Sequence, residues 1–151
     1  MPTESNSKTH MLPQRILPDL QSSLLCDDIR QEISGNFILL GVISVIRVGQ
    51  LPVTALRICV FNRWAAGIGK FTEKTRLYAP DQTTILRESK MTFELTDPTH
   101  NATNAAVFPQ VEFKSDGVYY IEISVDEVMK IRYPLPVILV QAPKPPAEGT
   151  A

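Results

Sequence analysis

The feature that most constrains the fold is the alternation of side chains across residues 113–140. From residue 119 the odd positions are apolar, and polar residues such as Glu122 and Ser124 lie between them. Successive side chains of a strand point to opposite faces of a sheet, so each half of this stretch offers one apolar face. Those odd positions are Tyr119, Ile121, Ile123 and Val125, then Met129, Ile131, Tyr133, Leu135, Val137 and Leu139. The pattern predicts an antiparallel hairpin with one face on a hydrophobic core.

The same alternation predicts the register of this hairpin, because antiparallel partners must share a face. A three-residue loop at residues 126–128 sets Ile123 opposite Ile131, whereas a two-residue turn sets Ile123 opposite an outward, polar position. We therefore expect the three-residue loop, with a bulge. Pro134 and Pro136 have the same parity and lack N–H groups, so this end of the strand is predicted to lie on a sheet margin.

The rest of the chain contains further strand-like runs separated by turn signals, with almost no helical periodicity. They lie at residues 20–30, 37–48, 53–62, 70–78, 85–95 and 107–113. The run at 70–78 is mainly polar, which predicts a position near a sheet edge. This spacing predicts an all-β, immunoglobulin-like antiparallel β-sandwich of seven or eight strands.

One domain accommodates all of these strands, and we place it at residues 19–141. Residues 1–18 hold Ser, Thr, Asn and Pro with little apolar pattern, so a disordered tail is predicted there. Residues 142–151 are Pro-rich, and a second disordered tail is predicted.

Charge and hydropathy argue against several classes of partner. The net charge is −1 and the basic residues are scattered, so we expect no binding to nucleic acid or to an anionic membrane. The apolar run at 37–48 is too short to span a bilayer, and no basic and then apolar leader follows Met1. We expect a cytoplasmic protein in which Cys26 and Cys59 are reduced.

Three segments carry a resemblance to a known family. They are LLCDDIRQEISGNFILLGVISVI, RLYAPDQTTILRES, and FKSDGVYYIEISVDE followed by PLPV. In this order they resemble an uncharacterised bacterial family of small immunoglobulin-like β-sandwich proteins. The most informative positions are Cys26-Asp27-Asp28, Gly35 with Gly41, and Gly117-Val118-Tyr119. The resemblance implies a fold, and it implies no catalytic residue because that family has no established activity.

Candidate catalytic and metal-binding groups are few. Asp27 and Asp28 are adjacent and could hold a divalent cation, but neighbouring strand residues point to opposite faces. We expect one of them to pair with Arg30 or cap a turn. No spacing brings Cys26 or Cys59 to His100, so nucleophilic catalysis is not predicted. The sequence predicts no catalytic residue, no metal site and no cofactor.

Arg63 and Trp64, at a predicted strand end, form the most interesting pair for ligand binding. An exposed Trp beside an Arg is typical of interface hot spots and of sites that stack sugars or bases. The alternative is a Trp folded over the open end of the sandwich.

The run at residues 37–48 is apolar on both parities, so burying one set of side chains exposes the other. The set predicted to be exposed, and to mediate self-association, is Ile38, Leu40, Val42 and Ile46. A β-bulge near Gly41 could instead switch the inward parity midway. We expect a non-enzymatic interaction module that binds itself or another protein. The alternative function is a small-ligand or carbohydrate-binding domain that uses Trp64 and adjacent loops.

Overall fold

The computed structural model describes residues 14–141, so residues 1–13 and 142–151 of the two predicted tails lie outside the described residues. The described part of the chain forms nine strands. They are β1 (Asp19–Gln31), β2 (Phe37–Ile43), β3 (Ile46–Val48), β4 (Val53–Ala65), β5 (Gly69–Tyr78), β6 (Ile85–Leu95), β7 (Asn101–Phe113), β8 (Gly117–Val125) and β9 (Val128–Leu139).

These strands build two sheets that face each other. The four-stranded sheet has the order β2-β1-β4-β7, and the five-stranded sheet has the order β3-β9-β8-β5-β6. Among the described strands the pairings are antiparallel apart from β3 with β9, which is parallel. The chain passes from one sheet to the other after β2, β3, β4, β6 and β7. The predicted all-β, immunoglobulin-like sandwich is confirmed.

The ninth strand arises because the predicted strand at residues 37–48 is divided. It leaves the four-stranded sheet after Ile43, and it joins the edge of the five-stranded sheet as β3, where Ile46 pairs with Val137. Ile43 and Ile46 both pack against the core. The side chains that face the core therefore change from odd to even positions within this segment. Such a change was the alternative predicted from the sequence, but it occurs at residues 44–45 and not at Gly41.

The core lies between the two sheets and is filled by alternate residues of the central strands. Its fully buried side chains include Ile58, Leu77, Ile121 and Leu135. Tyr119, near the start of β8, donates a hydrogen bond from its hydroxyl to the Ser115 carbonyl at 2.7 Å. This contact has the form of the tyrosine corner found in immunoglobulin-like sandwiches.

The β8–β9 hairpin confirms part of the predicted register and corrects its turn. Ile123 lies opposite Ile131 as predicted, but the loop has two residues, Asp126 and Glu127, and a bulge follows Ile123. The bulge restores the parity that the three-residue loop was meant to provide. Both turn residues have a positive φ, of 46° and 67°. Asp126 is held there by Thr72 of β5, whose N–H donates to Asp126 Oδ1 at 2.9 Å and whose carbonyl accepts from the Asp126 N–H at 2.9 Å.

Two predictions about sheet edges agree with the strand order. Pro134 and Pro136 lie on a part of β9 that pairs with β8 alone, because the contact with β3 begins at Val137, so the predicted sheet margin is confirmed. The position near a sheet edge predicted for residues 70–78 is also confirmed, because β5 lies next to the edge strand β6 and is paired on its other side by β8. Polar residues of β5 point inward because other buried polar groups bond to them, as described below.

Residues 14–18 lie against the domain and not in the tail predicted for residues 1–18. Ile16 exchanges backbone hydrogen bonds with Ile68 at 2.9 and 3.0 Å, and Leu17 packs against the core. Arg15 pairs with the carboxylate of Asp126. The folded unit of the described chain therefore begins before β1.

Candidate functional site

One candidate surface of the described chain is a row of exposed aliphatic side chains on β2. Ile38, Leu40 and Val42 share one face of this strand and have exposed fractions of 41%, 39% and 58%. We call these three residues the hairpin strip. They are the first three members of the predicted self-association set, and the structure places them together as expected. Ile46, the fourth member, does not belong to the strip, because it lies on β3 in the other sheet and packs against the core.

A row of charged side chains on β1 borders the hairpin strip. Arg30 lies opposite Ile38 and Asp28 lies opposite Leu40 in the β1–β2 register. Asp28 Oδ2 accepts from Arg30 Nε at 3.1 Å and lies 3.3 Å from Arg57 Nη2. The Arg30 hydrogen bond and the Arg57 charge lower the pKa of Asp28. The surface therefore combines a row of apolar side chains with a row of paired charges.

The β1–β2 hairpin also covers the outer face of the four-stranded sheet. Gln31, the partner of Phe37, is seven residues beyond Leu24, the partner of Phe61. In a straight hairpin this offset of seven residues would separate the rings of Phe37 and Phe61 by about 23 Å. They instead meet edge to face with a centroid separation of 5.8 Å, so the hairpin bends over the sheet.

The bend occurs where Gly41 has a φ of 66° and the side chain of Asp27 occupies the space that a Cβ would need. Arg57 of β4 stabilises the bend, because its Nε donates a hydrogen bond to the Asp27 carbonyl at 3.0 Å. A cleft of about 320 Å³ remains under the hairpin, and Cys59 and Val107 line its floor.

The tip of the hairpin is a feature that sequence reasoning missed. Ile33 sits in the turn between β1 and β2 and is fully exposed. The turn is closed by the Gly35 N–H, which donates to the Glu32 carbonyl at 2.8 Å. An isoleucine inside a turn segment otherwise rich in Ser, Gly and Asn was the signal that could have found it. Ile33 extends the apolar character of the hairpin to its end.

The adjacent aspartates Asp27 and Asp28 make structural contacts and do not form a shared site. Asp28 pairs with Arg30 as predicted, and Asp27 points at Gly41 on the partner strand. Among residues 14–141, no three His, Cys, Asp or Glu side chains converge in a way that could hold a metal ion. The expectation that no divalent metal binds specifically stays a prediction.

The two cysteines are unpaired thiols in the structure and lie opposite each other, Cys26 on β1 and Cys59 on β4. Burial raises the pKa of Cys26 to about 11, and burial also raises the pKa of Cys59. His100 precedes Asn101, whose partner on β4 is six residues from Cys59. That spacing corresponds to about 20 Å along the strand. A cysteine–histidine dyad with His100 is therefore not formed.

Trp64 does not form the binding platform proposed from the sequence. It has no exposed surface, its ring stacks on Phe93 with a centroid separation of 5.6 Å, and its Nε1–H donates to Glu73 Oε1 at 2.7 Å. Arg63, on the opposite face of β4, donates from Nε to Thr103 Oγ1 at 3.2 Å. The alternating directions along a strand separate the two side chains, so the Arg–Trp pair expected at the surface does not exist.

Trp64 instead belongs to a buried polar cluster between the sheets. Glu73 is 1% exposed, and burial raises its pKa against the opposing hydrogen bonds from Trp64, Asn104 and Asn62. Asn62 Nδ2 donates to Thr75 Oγ1 at 3.1 Å, and its Oδ1 accepts from Ser23 at 2.6 Å. Glu73 has the parity of Phe71 and Leu77, which was the sequence signal for its inward direction. These contacts stabilise the interior and leave Trp64 inaccessible to ligand.

Residues 21–138 match the model of a family of unknown function (DUF6941). The chain belongs to this family. The expected membership of an uncharacterised family is thereby confirmed. No curated protein gives a significant match to this DUF6941 chain. One similar solved structure is the CARDB domain of a Pyrococcus furiosus protein, determined in complex with di-metal ions. It is 13% identical, the alignment covers 85% of this chain and 100% of that domain, and the TM-score is 0.42. So distant a likeness carries no argument about function.

In the part of the DUF6941 chain that the structure describes, no helix has the length and apolar character needed to cross a membrane.

Proposed function

We propose that this protein is a non-catalytic interaction module that associates with a second copy of itself through the edge of β2. The observation that carries the proposal is the hairpin strip on an edge strand. Natural sheet edges are usually protected by charged residues or proline, which discourage pairing with another chain. The seven residues of β2, FILLGVI, contain neither. Its free edge and its exposed aliphatic side chains therefore favour an added strand.

A second copy fits this edge because the strip is self-complementary. Antiparallel pairing about a two-fold axis at Leu40 sets Leu40 against Leu40 and Ile38 against Val42. No like charges meet along the strand, since the charged row lies on β1, where Asp28 pairs with Arg30 and with Arg57 of β4. Two-fold pairing is the commonest arrangement among soluble oligomers. The fully exposed Ile33 at the hairpin tip adds apolar surface to the same region.

The non-catalytic part of the proposal is supported by the state of the described nucleophiles. Cys26 and Cys59 are buried and have raised pKa values, and His100 lies far from both. The alternative ligand-binding function depended on an exposed Trp64, and the burial of that side chain removes its basis.

Sedimentation velocity at tens of micromolar tests the proposal on the full chain. We expect the wild type to sediment as a dimer and Leu40→Glu as a monomer, because the substitution places two carboxylates opposite each other in a paired edge. Ile85→Glu is the matched control. Ile85 is also an exposed aliphatic residue, at 43%, and it lies on β6, the edge strand at the far side of the other sheet.

The control should remain dimeric. A monomeric wild type would refute self-association. A dimer that survives Leu40→Glu, or that is lost equally in Ile85→Glu, would place the interface elsewhere.

A further inference from the structure

Cys26 and Cys59 are held in a position that suits a covalent bond between them. They are direct partners in the antiparallel register of β1 and β4, and Leu25 with Val60 is the next pair along the ladder. The Cα atoms of directly opposed residues lie roughly 4.5–5.5 Å apart. A disulfide spans a Cα separation of roughly 4.4–6.8 Å. The backbone register therefore already meets the main requirement for a cross-link.

The two thiols also share the same face of the sheet. Leu25, Ile58 and Val60 belong to the core between the sheets, so the alternating Cys26 and Cys59 point outward. Both remain buried because the bent β1–β2 hairpin lies over that face. The pair thus occupies a small compartment separate from the main core, at the point where the hairpin leaves the sheet.

The cleft under the hairpin gives a reagent access to one of the two sulfur atoms. Cys59 lines this cleft of about 320 Å³ together with Asp28 and Arg57. Cys26 does not line it and has no exposed surface. Burial raises the pKa of both thiols, but at Cys59 the charge of Arg57 opposes the rise. Cys59 is accordingly the sulfur that an incoming reagent meets first.

We propose that Cys26 and Cys59 form a cross-strand disulfide when the protein meets a small disulfide oxidant, so that the base of the β1–β2 hairpin is a redox modification site. The Cys59 thiolate attacks one sulfur of the oxidant, forms a mixed disulfide and releases one thiolate. The Cys26 thiolate then attacks the Cys59 sulfur and releases the second. The two cysteines lose two electrons, the oxidant gains them, and the two thiol protons end on the two released thiols.

Treatment of the native full chain with excess oxidised glutathione tests this proposal. The sample is quenched by alkylation and digested with trypsin without reduction. Trypsin cleaves after Arg15, Arg30, Arg57 and Arg63, so the two cysteines fall in peptides 16–30 and 58–63. We expect these peptides to appear joined, with the mass of two hydrogen atoms lost and with both free thiols of the intact chain consumed together. Reduction should separate them.

Single variants test the order of the two steps. In Cys26→Ser the reaction should stop at a glutathione adduct on Cys59, because the resolving thiol is absent. In Cys59→Ser the Cys26 thiol should stay reduced under the same conditions. Two outcomes in the native wild type overturn the proposal. One is a stable adduct on either cysteine without the joined peptide, and the other is thiols that remain free until the chain is denatured.

Discussion

Glu73 allows the strongest test of how the interior is organised. Its carboxyl group is buried between the sheets and accepts the Trp64 Nε1–H, and burial raises its pKa. The folded protein therefore keeps this proton to a higher pH than the unfolded chain does. Between the two pKa values unfolding releases a proton, so stability falls as the pH rises. Glu73→Gln removes the titration while retaining an oxygen acceptor for Trp64.

The size of the effect follows from the number of protons involved. One proton released on unfolding changes the free energy of unfolding by about 1.4 kcal/mol per pH unit. The difference between Glu73→Gln and the wild type should be small below about pH 4, where Glu73 is protonated in both states. It should then grow in favour of the variant by up to about 1.4 kcal/mol per unit, and become constant above the pKa of the folded state.

Denaturant unfolding across the mildly acidic to neutral range measures this difference. Trp64 is the single tryptophan of the chain, so its fluorescence reports unfolding at the residue that bonds to Glu73. Glu112→Gln, an exposed carboxylate on β7, serves as the control and should show no such growth. A difference in the free energy of unfolding that does not change with pH would refute the raised pKa. If the wild type instead became more stable relative to the variant as the pH rises, the ionised form of Glu73 would be the stabilised one.

Three further substitutions or truncations test single contacts by chemical denaturation. Tyr119→Phe should lower the free energy of unfolding by about 1 kcal/mol, because the hydrogen bond to the Ser115 carbonyl is lost. An unchanged midpoint would mean that the tyrosine corner is energetically neutral. Gly41→Ala should cost about 1–2 kcal/mol or more, since φ is 66° and the new methyl group meets Asp27. A chain that lacks residues 14–18 as well as 1–13 should be less stable than one that lacks only 1–13, by about 2 kcal/mol for two backbone hydrogen bonds; equal stability would contradict this docking.

The parts of the fold that were predictable depend on local alternation. The β8–β9 hairpin shows its apolar parity within each strand, so the pairing of Ile121 with Tyr133 and of Ile123 with Ile131 followed from the sequence. The hairpin strip was found by the same argument. The two-residue turn was not predictable, because Asp126 adopts a positive φ through its bonds to Thr72 on a distant strand.

The parts that could not be predicted depend on tertiary partners. The sequence left open whether Trp64 is exposed or folded over the end of the sandwich, because its hydrogen-bond partner, Glu73, lies on a different strand. The Trp64 Nε1–H and the Glu73 carboxyl group satisfy each other inside the sandwich, and no local pattern reveals which polar groups pair in this way. Ile46 was wrongly included in the exposed self-association set. A segment that is apolar on both faces does not show where the chain passes from one sheet to the other.

The parallel pairing of β3 with β9 determines when the sandwich can close during synthesis on the ribosome. Ile46, Arg47 and Val48 pair with Val137, Ile138 and Leu139, which lie 91 positions later in the chain. Contacts between such distant segments cannot form until the later one has emerged. The nascent domain must therefore wait with the edge of β3 unpaired until its last strand is made. The five-stranded sheet is therefore completed only after β9 has been made.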